Sequence, residues 1–178
     1  MNFKRWNLIL LINICFVILF LCNACYHKAE DADKVLTEFL GSTIRFPGPM
    51  KDSLKNYSDK NLLIIVIDST DCTSCTLQNV DMLKLYKEKF IEFNIGILII
   101  AQRKDKNVKS ILDNMGIDFP IFYDDSEFIL KNKLMYNSLL HTFLINREKK
   151  VIWVGSPIRT ENSWNLFCRM MKKIAEGQ

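Results

Sequence analysis

The feature that most constrains the fold is an apolar run that ends in a polar turn and a pair of cysteines. Residues 62–67 read Leu-Leu-Ile-Ile-Val-Ile, which is typical of a central strand buried on both faces. A short polar turn follows, then Cys72-Thr73-Ser74-Cys75, and a helical pattern begins there. A strand that leads through a short turn into a helix is a β/α unit, so we expect a sheet covered by helices.

The spacing of Cys72 and Cys75 suits redox chemistry. Thiols three positions apart on the first turn of a helix can close a small disulfide ring, and the helix N-terminus favours the thiolate. The thiolate is the attacking species in thiol–disulfide exchange, so both residues are predicted to be catalytic. Asp71 opposes this effect, because a carboxylate beside Cys72 raises the thiol pKa; the alternative is that Asp71 caps the helix or faces water.

The N-terminus has the pattern of a sorting signal. Lys4 and Arg5 precede an apolar run over residues 8–21, as in secretory signals. The following Asn23-Ala24-Cys25 resembles the processing site of bacterial lipoproteins, which implies that Cys25 is lipidated. The alternative is an uncleaved membrane anchor. Both interpretations place residues 26–178 outside the cytoplasm, in the bacterial cell envelope, facing the periplasm or the surface.

The cysteine count then favours one disulfide. Three of the six cysteines lie in residues 1–25, which leaves Cys72, Cys75 and Cys168 for the folded part. Because cysteines in an oxidising compartment tend to pair, we predict a Cys72–Cys75 disulfide. Cys168 lies among apolar residues and is predicted to be a small buried hydrophobe.

Charge and histidine content exclude two classes of site. The net charge is +4 and the lysines and arginines are scattered, which gives no reason to expect a nucleic-acid partner. Only His27 and His141 could complete a zinc site, and neither is near the cysteine pair in sequence. We therefore expect no metal.

The rest of the chain continues the alternation of strands and helices. We predict a signal at 1–25, a tether and N-terminal extension at 26–59, and an α/β domain at 60–178 with a mixed sheet and helices on both faces. Residues 51–60 are polar and predicted to be a loop. Helices are predicted near 35–40, 72–93, 108–115, 127–134 and 164–174, strands near 61–68, 95–101 and 119–123, and a hairpin at 142–146 and 151–154.

This arrangement resembles the thioredoxin-like fold, a three-layer sandwich. The resemblance rests on Asp71-Cys72-Thr73-Ser74-Cys75 at a helix start, on residues 142–146 with their hairpin, and on Gly155. More narrowly, the chain looks like the membrane-anchored, extracytoplasmic thioredoxin-like lipoproteins of the thiol–disulfide interchange type. The resemblance implies that Cys72 attacks and Cys75 resolves, without a cofactor. The implied partners are exported proteins bearing cysteines or disulfides, and an electron donor that the sequence does not identify.

One feature of that family is missing. A cis-proline usually precedes the first hairpin strand, but here the position falls near Leu140 or His141. A cis bond before a residue other than proline costs about 3 kcal/mol, so we expect trans bonds and an altered partner groove. His141 is a second candidate for tuning Cys72, as an imidazolium or proton shuttle; the alternative is a partly exposed loop histidine with no chemical role.

Three functions fit the sequence. The first is a membrane-tethered thiol–disulfide oxidoreductase, which we favour. The second is a non-enzymatic lipoprotein in which the disulfide is structural. The third is a peroxiredoxin-like peroxidase, whose Pro-x-x-x-Ser/Thr-x-x-Cys motif is matched here by Ser69 and Cys72 but has Ile65 in the place of proline.

Overall fold

The computed structural model describes residues 33–67, 73–102, 107–124, 127–134 and 138–176. The chain divides into two units after Phe39. In the first unit the described residues, 33–39, are helical (α1), as the apolar spacing over 35–40 predicts. The second unit begins at Leu40, before the predicted domain boundary at residue 60, and contains the sheet.

The described helices and strands of the second unit follow the predicted alternation. The α-helices are α2 Gly48–Ser53, α3 Thr73–Lys84, α4 Lys87–Glu92, α5 Asn107–Asn114, α6 Glu127–Lys131 and α7 Glu161–Ala175, with 3-10 turns at Leu54–Tyr57 and Ser138–His141. The strands are β1 Asn61–Ile67, β2 Ile95–Gln102, β3 Ile121–Asp124, β4 Thr142–Ile145 and β5 Val151–Val154.

The strands form one mixed sheet with β1 at its centre. The order is β3-β2-β1-β4-β5. Strands β1, β2 and β3 are parallel, and β4 runs antiparallel to both β1 and β5. The parallel half comes from the β/α units and the antiparallel half from the hairpin, which confirms the predicted mixed sheet.

Both faces of the sheet are covered. All seven residues of β1 are buried. Alternate residues point to opposite faces, so Leu63, Ile65 and Ile67 share one face, where they cluster with buried residues of α3, α4, α5 and α7. Other helices contribute buried residues outside this cluster, among them Met50 of α2 and Phe128 of α6. These layers confirm the predicted three-layer α/β class.

The single helix predicted over 72–93 is two helices. The amides of Leu85 and Tyr86 bond to carbonyls three residues back, those of Met82 and Leu83, which tightens the last turn and ends α3. The Tyr86 ring packs edge-on against Trp164 of α7 at 4.6 Å between centroids. The apolar residues spaced along this segment all face the core despite the break, because they are all buried: Leu77, Val80, Leu83 and Phe90.

The loop predicted at 51–60 was wrong for its first part. The amides of Met50 and Lys51 bond to the carbonyl of Pro47, and α2 starts there. The segment Pro47-Gly48-Pro49 suits the first turn of a helix. The N–H that proline lacks would have no partner within the helix at that position, so its absence has no cost. Met50 is fully buried, so one apolar residue anchors a helix that is otherwise polar.

Candidate functional site

The central strand leads directly to the cysteine pair. Strand β1 ends at Ile67 and α3 begins at Thr73, so Cys75 is the third residue of the helix and lies on its first turn. Residues 68–72 lie outside the described residues. The predictions for Asp71, for Cys72 and for the disulfide fall on these residues and stay predictions. The same holds for Cys25 and its predicted lipid. The sequence therefore assigns these roles, and the structure supplies the strand and helix on either side.

His141 lies at the same edge of the sheet. It directly precedes β4, whose first residue, Thr142, pairs with Ile65 near the end of β1. The His141 side chain is buried, with only 6% of its surface exposed, so the prediction of a partly exposed loop residue was wrong. Its Nε2 is 3.0 Å from the carbonyl oxygen of Leu134, and because a carbonyl can only accept, Nε2 carries the hydrogen.

The backbone around His141 is ordinary in one respect. No peptide bond among the described residues is cis, so the bonds on both sides of His141 are trans, as the missing proline predicts. The 3-10 turn Ser138–His141 brings the chain into β4 at this point. Leu140 and His141, the two positions near which the family resemblance expects a cis-proline, are both buried, and His141 is held by a hydrogen bond to the main chain.

Ser156 is a neighbour of this edge that the sequence did not single out. Gly155 has a φ of 90°, a conformation that glycine adopts without strain, and its N–H donates to the Thr142 carbonyl at 2.6 Å. This bond turns the chain after β5 beside the start of β4. The following Ser156 hydroxyl is buried and has no hydrogen-bond partner in the described part of the chain. Serine after a strand is too common to have signalled this.

Asp124, at the end of β3, caps the helix that follows. It is buried, with 4% of its surface exposed, and its Oδ2 accepts the N–H of Phe128 at 2.9 Å, near the start of α6. Adjacent acids such as Asp124 and Asp125 at a strand end are more often a solvated turn and a helix cap; here Asp124 has the capping role and is buried. Asp125 lies outside the described residues.

Cys168 lies on α7, away from the strand–helix junction in sequence. It is half-buried and forms no disulfide. Burial raises the pKa of its thiol, and the nearby Lys172 and Lys89 only partly oppose this. A thiol held protonated is a poor nucleophile, so Cys168 is not suited to exchange chemistry.

The described ranges contain neither a metal cluster nor a membrane-spanning helix. No group of three or more histidine, cysteine or acidic side chains there is placed to hold a metal ion. Within the same ranges, no helix has the length and apolar character needed to cross a bilayer.

A family model matches the middle of the chain. The model of the AhpC/TSA family matches residues 49–154, more than half of the sequence. The chain belongs to the AhpC/TSA family. Cys72, Cys75 and His141 all lie within the matched region, whereas Cys25 and Cys168 lie outside it. No match was found among curated proteins.

Solved structures share the architecture. The C-terminal domain of a putative thiol-disulfide oxidoreductase from Bacteroides thetaiotaomicron is similar at 21% identity and a TM-score of 0.55, over 75% of this chain and 97% of that one. Peroxidoxin BcpB from Mycobacterium tuberculosis is similar at 15% identity and a TM-score of 0.56, over 76% and 97%. A thiol:disulfide interchange protein from Bacteroides sp. gives 16% and 0.51, over 70% and 82%.

These similarities establish the thioredoxin-like fold that the sequence predicted. At such identities they do not choose among the activities of the proteins named, because one fold hosts many functions. The choice depends on the site itself.

Proposed function

We propose that this protein is a thiol–disulfide oxidoreductase in which Cys72 attacks and Cys75 resolves. The observation that carries the proposal is the position of Cys75 on the first turn of α3, directly after the central strand of an AhpC/TSA-family fold. A helix N-terminus stabilises a thiolate through its unpaired N–H groups and dipole. Cys72 directly precedes this helix in the sequence.

The reaction proceeds through a mixed disulfide. The Cys72 thiolate attacks one sulfur of a partner disulfide, an S–S bond forms between them, and the other partner sulfur leaves as a thiolate that takes up a proton. The Cys75 thiolate then attacks the Cys72 sulfur, which releases the partner with both thiols reduced and leaves a Cys72–Cys75 disulfide. An electron donor returns two electrons and two protons to restart the cycle.

Asp71 and His141 are proposed to modulate the pair. Asp71 disfavours a second negative charge beside it, which favours a reducing or isomerising role over strong oxidation. His141 lies at the edge where β1 ends, and its hydrogen bond to Leu134 fixes the ring. We propose that His141, together with the adjacent Leu140, shapes the partner groove in the absence of a cis-proline.

The proposed location is outside the cytoplasm, at the membrane. Residues 1–25 are the proposed signal and Cys25 the proposed lipid attachment site, so the domain is tethered facing exported proteins that carry cysteines or disulfides. Metabolic labelling with a radioactive fatty acid is expected to mark the wild-type chain and a Cys22→Ser variant. The Cys25→Ser variant is expected to lose the label.

Insulin reduction by the purified chain, with dithiothreitol as electron source, tests the activity. Cys72→Ser is expected to abolish turnover, and Cys75→Ser to accumulate mixed disulfides that resolve on adding reductant. Cys168→Ser is the matched control, because this half-buried thiol lies outside the pair and is expected to leave turnover unchanged.

Other outcomes identify the competing functions. Consumption of peroxide that depends on Cys72 and exceeds that of free cysteine, without insulin reduction, indicates a peroxidase. No turnover in either assay and no trapped partner indicates a structural disulfide in a non-enzymatic lipoprotein.

A further inference from the structure

A concave site lies at the opposite end of the strands from the cysteine pair. A cavity of about 230 Å³ opens where β1 begins. Five of its described lining residues are cationic, and we call the site the basic pocket. They come from α2, the 3-10 turn and the connection that lead into β1, and from the β4–β5 turn: Lys51, Lys55, Lys60, Arg147 and Lys149.

The described walls of the basic pocket carry more positive than negative side chains. None of the described lining residues is acidic. Lys51, Lys60, Arg147 and Lys149 form no ion pair with any described residue. The carboxylate of Glu148, next in the sequence to two of these cations, is held by Lys150 at 3.0 Å. Cations around one cavity repel one another unless an anion lies between them.

Part of the basic pocket is lined by buried apolar residues. Phe46, Leu62 and Ile145 line it, and all three are buried. Leu62 and Ile145 pair with each other in the central part of the sheet. Asn146 also lines the pocket, and its Oδ1 accepts the Lys150 N–H at 2.9 Å, so its amide nitrogen supplies a polar donor at this edge.

Lys149 occupies an unusual backbone position. Its φ is 66°, in the left-handed region where glycine is the least strained residue. Its carbonyl accepts the Ile44 N–H at 2.8 Å, which ties the turn to the segment that leads into α2. A lysine therefore stands at a turn position that favours glycine, and this residue is one of those that line the basic pocket.

We propose that the basic pocket binds a phosphate-bearing anion. The volume is below the 300 Å³ or so typical of sites for drug-sized ligands, which suits a group about the size of pyrophosphate. Such a ligand is either a free phosphate compound or the headgroup of a phospholipid. The site is separate from the proposed redox pair, because β1 has seven residues and spans about 20 Å between the two edges.

Titration calorimetry of the full-length chain with inorganic pyrophosphate tests the proposal. Saturable binding is expected, weakening as salt is added, because exposed charges are screened. Lys149→Gly is expected to weaken binding about fivefold, since it removes one cation from the site. The variant is also expected to fold, because glycine accepts the left-handed conformation.

Lys133→Gly is the matched control. Lys133 is exposed, has a φ of 57° and lies outside the basic pocket, so the substitution changes charge and backbone freedom in the same way. The affinity of the Lys133→Gly variant for pyrophosphate is expected to equal that of the wild type. The proposal is overturned if the wild type shows no saturable binding, or if Lys133→Gly and Lys149→Gly lose affinity equally.

Two additional measurements separate the source of the phosphate and the two sites. Displacement of pyrophosphate by phosphatidylglycerol vesicles but not by phosphatidylcholine vesicles supports a headgroup, and displacement by neither supports a free phosphate compound. A variant with both Cys72→Ser and Cys75→Ser is expected to retain pyrophosphate binding, so failure of the redox proposal and failure of this one are distinguishable.

Discussion

At the scale of single residues, Gly96 is the glycine with the least room for a side chain in the described part of the chain. A Cβ there would lie 2.8 Å from Tyr57 Cδ1 and 2.9 Å from Leu62 Cδ2. Gly96→Ala is therefore expected to lower the free energy of unfolding by about 1–3 kcal/mol, measured by urea denaturation, because a ring and a buried leucine must move. Gly48→Ala is the control, since no atom lies within 4 Å of the new Cβ. Equal stability of the two variants would contradict the packing argument.

The thiol of Cys168 provides a prediction about pH. Burial raises its pKa, so alkylation by iodoacetamide in the folded chain is expected to have its pH midpoint above the value of about 8.5 for free cysteine. Because the folded pKa lies above the unfolded one, the protonated thiol stabilises the fold at neutral pH, and this contribution is lost as pH rises through the folded value. Lys172→Met should raise the midpoint further and Lys133→Met should not, as mass spectrometry of the Cys168 peptide would show. A midpoint at or below that of free cysteine contradicts the assignment.

Individual residues also show what the sequence could not predict. The position of Cys75 on a helix terminus was predictable because a strand pattern and a helical pattern flank it in the sequence. The burial of His141 and Asp124 was not, because each depends on a hydrogen bond to a residue brought near by the fold or by a turn. Polar residues at strand ends carry the same local pattern whether they face solvent or cap a helix.

At the scale of elements, α7 attaches to the sheet through an aromatic cluster. Phe167 is fully buried, and its ring contacts those of Phe90, Trp153 and Trp164 at 5.4–6.0 Å between centroids. Phe167→Ala is expected to lower the free energy of unfolding by about 3–5 kcal/mol, because it leaves a cavity and removes ring contacts. Leu166→Ala on the same helix is the control, since Leu166 is half exposed and should cost about 0.5 kcal/mol or less. If guanidinium denaturation showed the same loss of unfolding free energy for Phe167→Ala and Leu166→Ala, the aromatic cluster would not be what attaches α7 to the sheet.

The elements differ in how far the sequence specified them. Strand β1 was predicted over 61–68 and runs Asn61–Ile67, because a β-branched run of that length has no competing pattern. The boundary between α3 and α4 was missed because their apolar spacing continues across the break at Leu85–Tyr86, so periodicity alone cannot detect it. Helix α2 was missed because a segment of six residues with one buried apolar side chain, Met50, shows no helical periodicity in the sequence.

At the scale of the whole molecule, β1 joins the two proposed sites. The chain leaves the end of β1 towards the cysteine pair and enters its start from the basic pocket. The redox pair could be proposed from the sequence because Cys72 and Cys75 are close together in it. The basic pocket was not, because Lys51, Lys55 and Lys60 meet Arg147 and Lys149 only when β4 pairs with β1.

The central position of β1 also determines how the domain opens. Its residues are all buried and it is hydrogen-bonded to β2 on one side and β4 on the other, whereas β3 has one neighbour, β2. Local opening can release an edge strand, but β1 is released only when the whole sheet unfolds. Native-state hydrogen exchange is therefore expected to be slowest for the amides of Asn61–Ile67, and their exchange should speed up in increasing urea with the full urea dependence of global unfolding. Amides of Ile121–Asp124 should exchange faster, with little dependence on urea. If both strands shared one urea dependence, the sheet would open as a single unit and β1 would have no special role in holding the two sites apart.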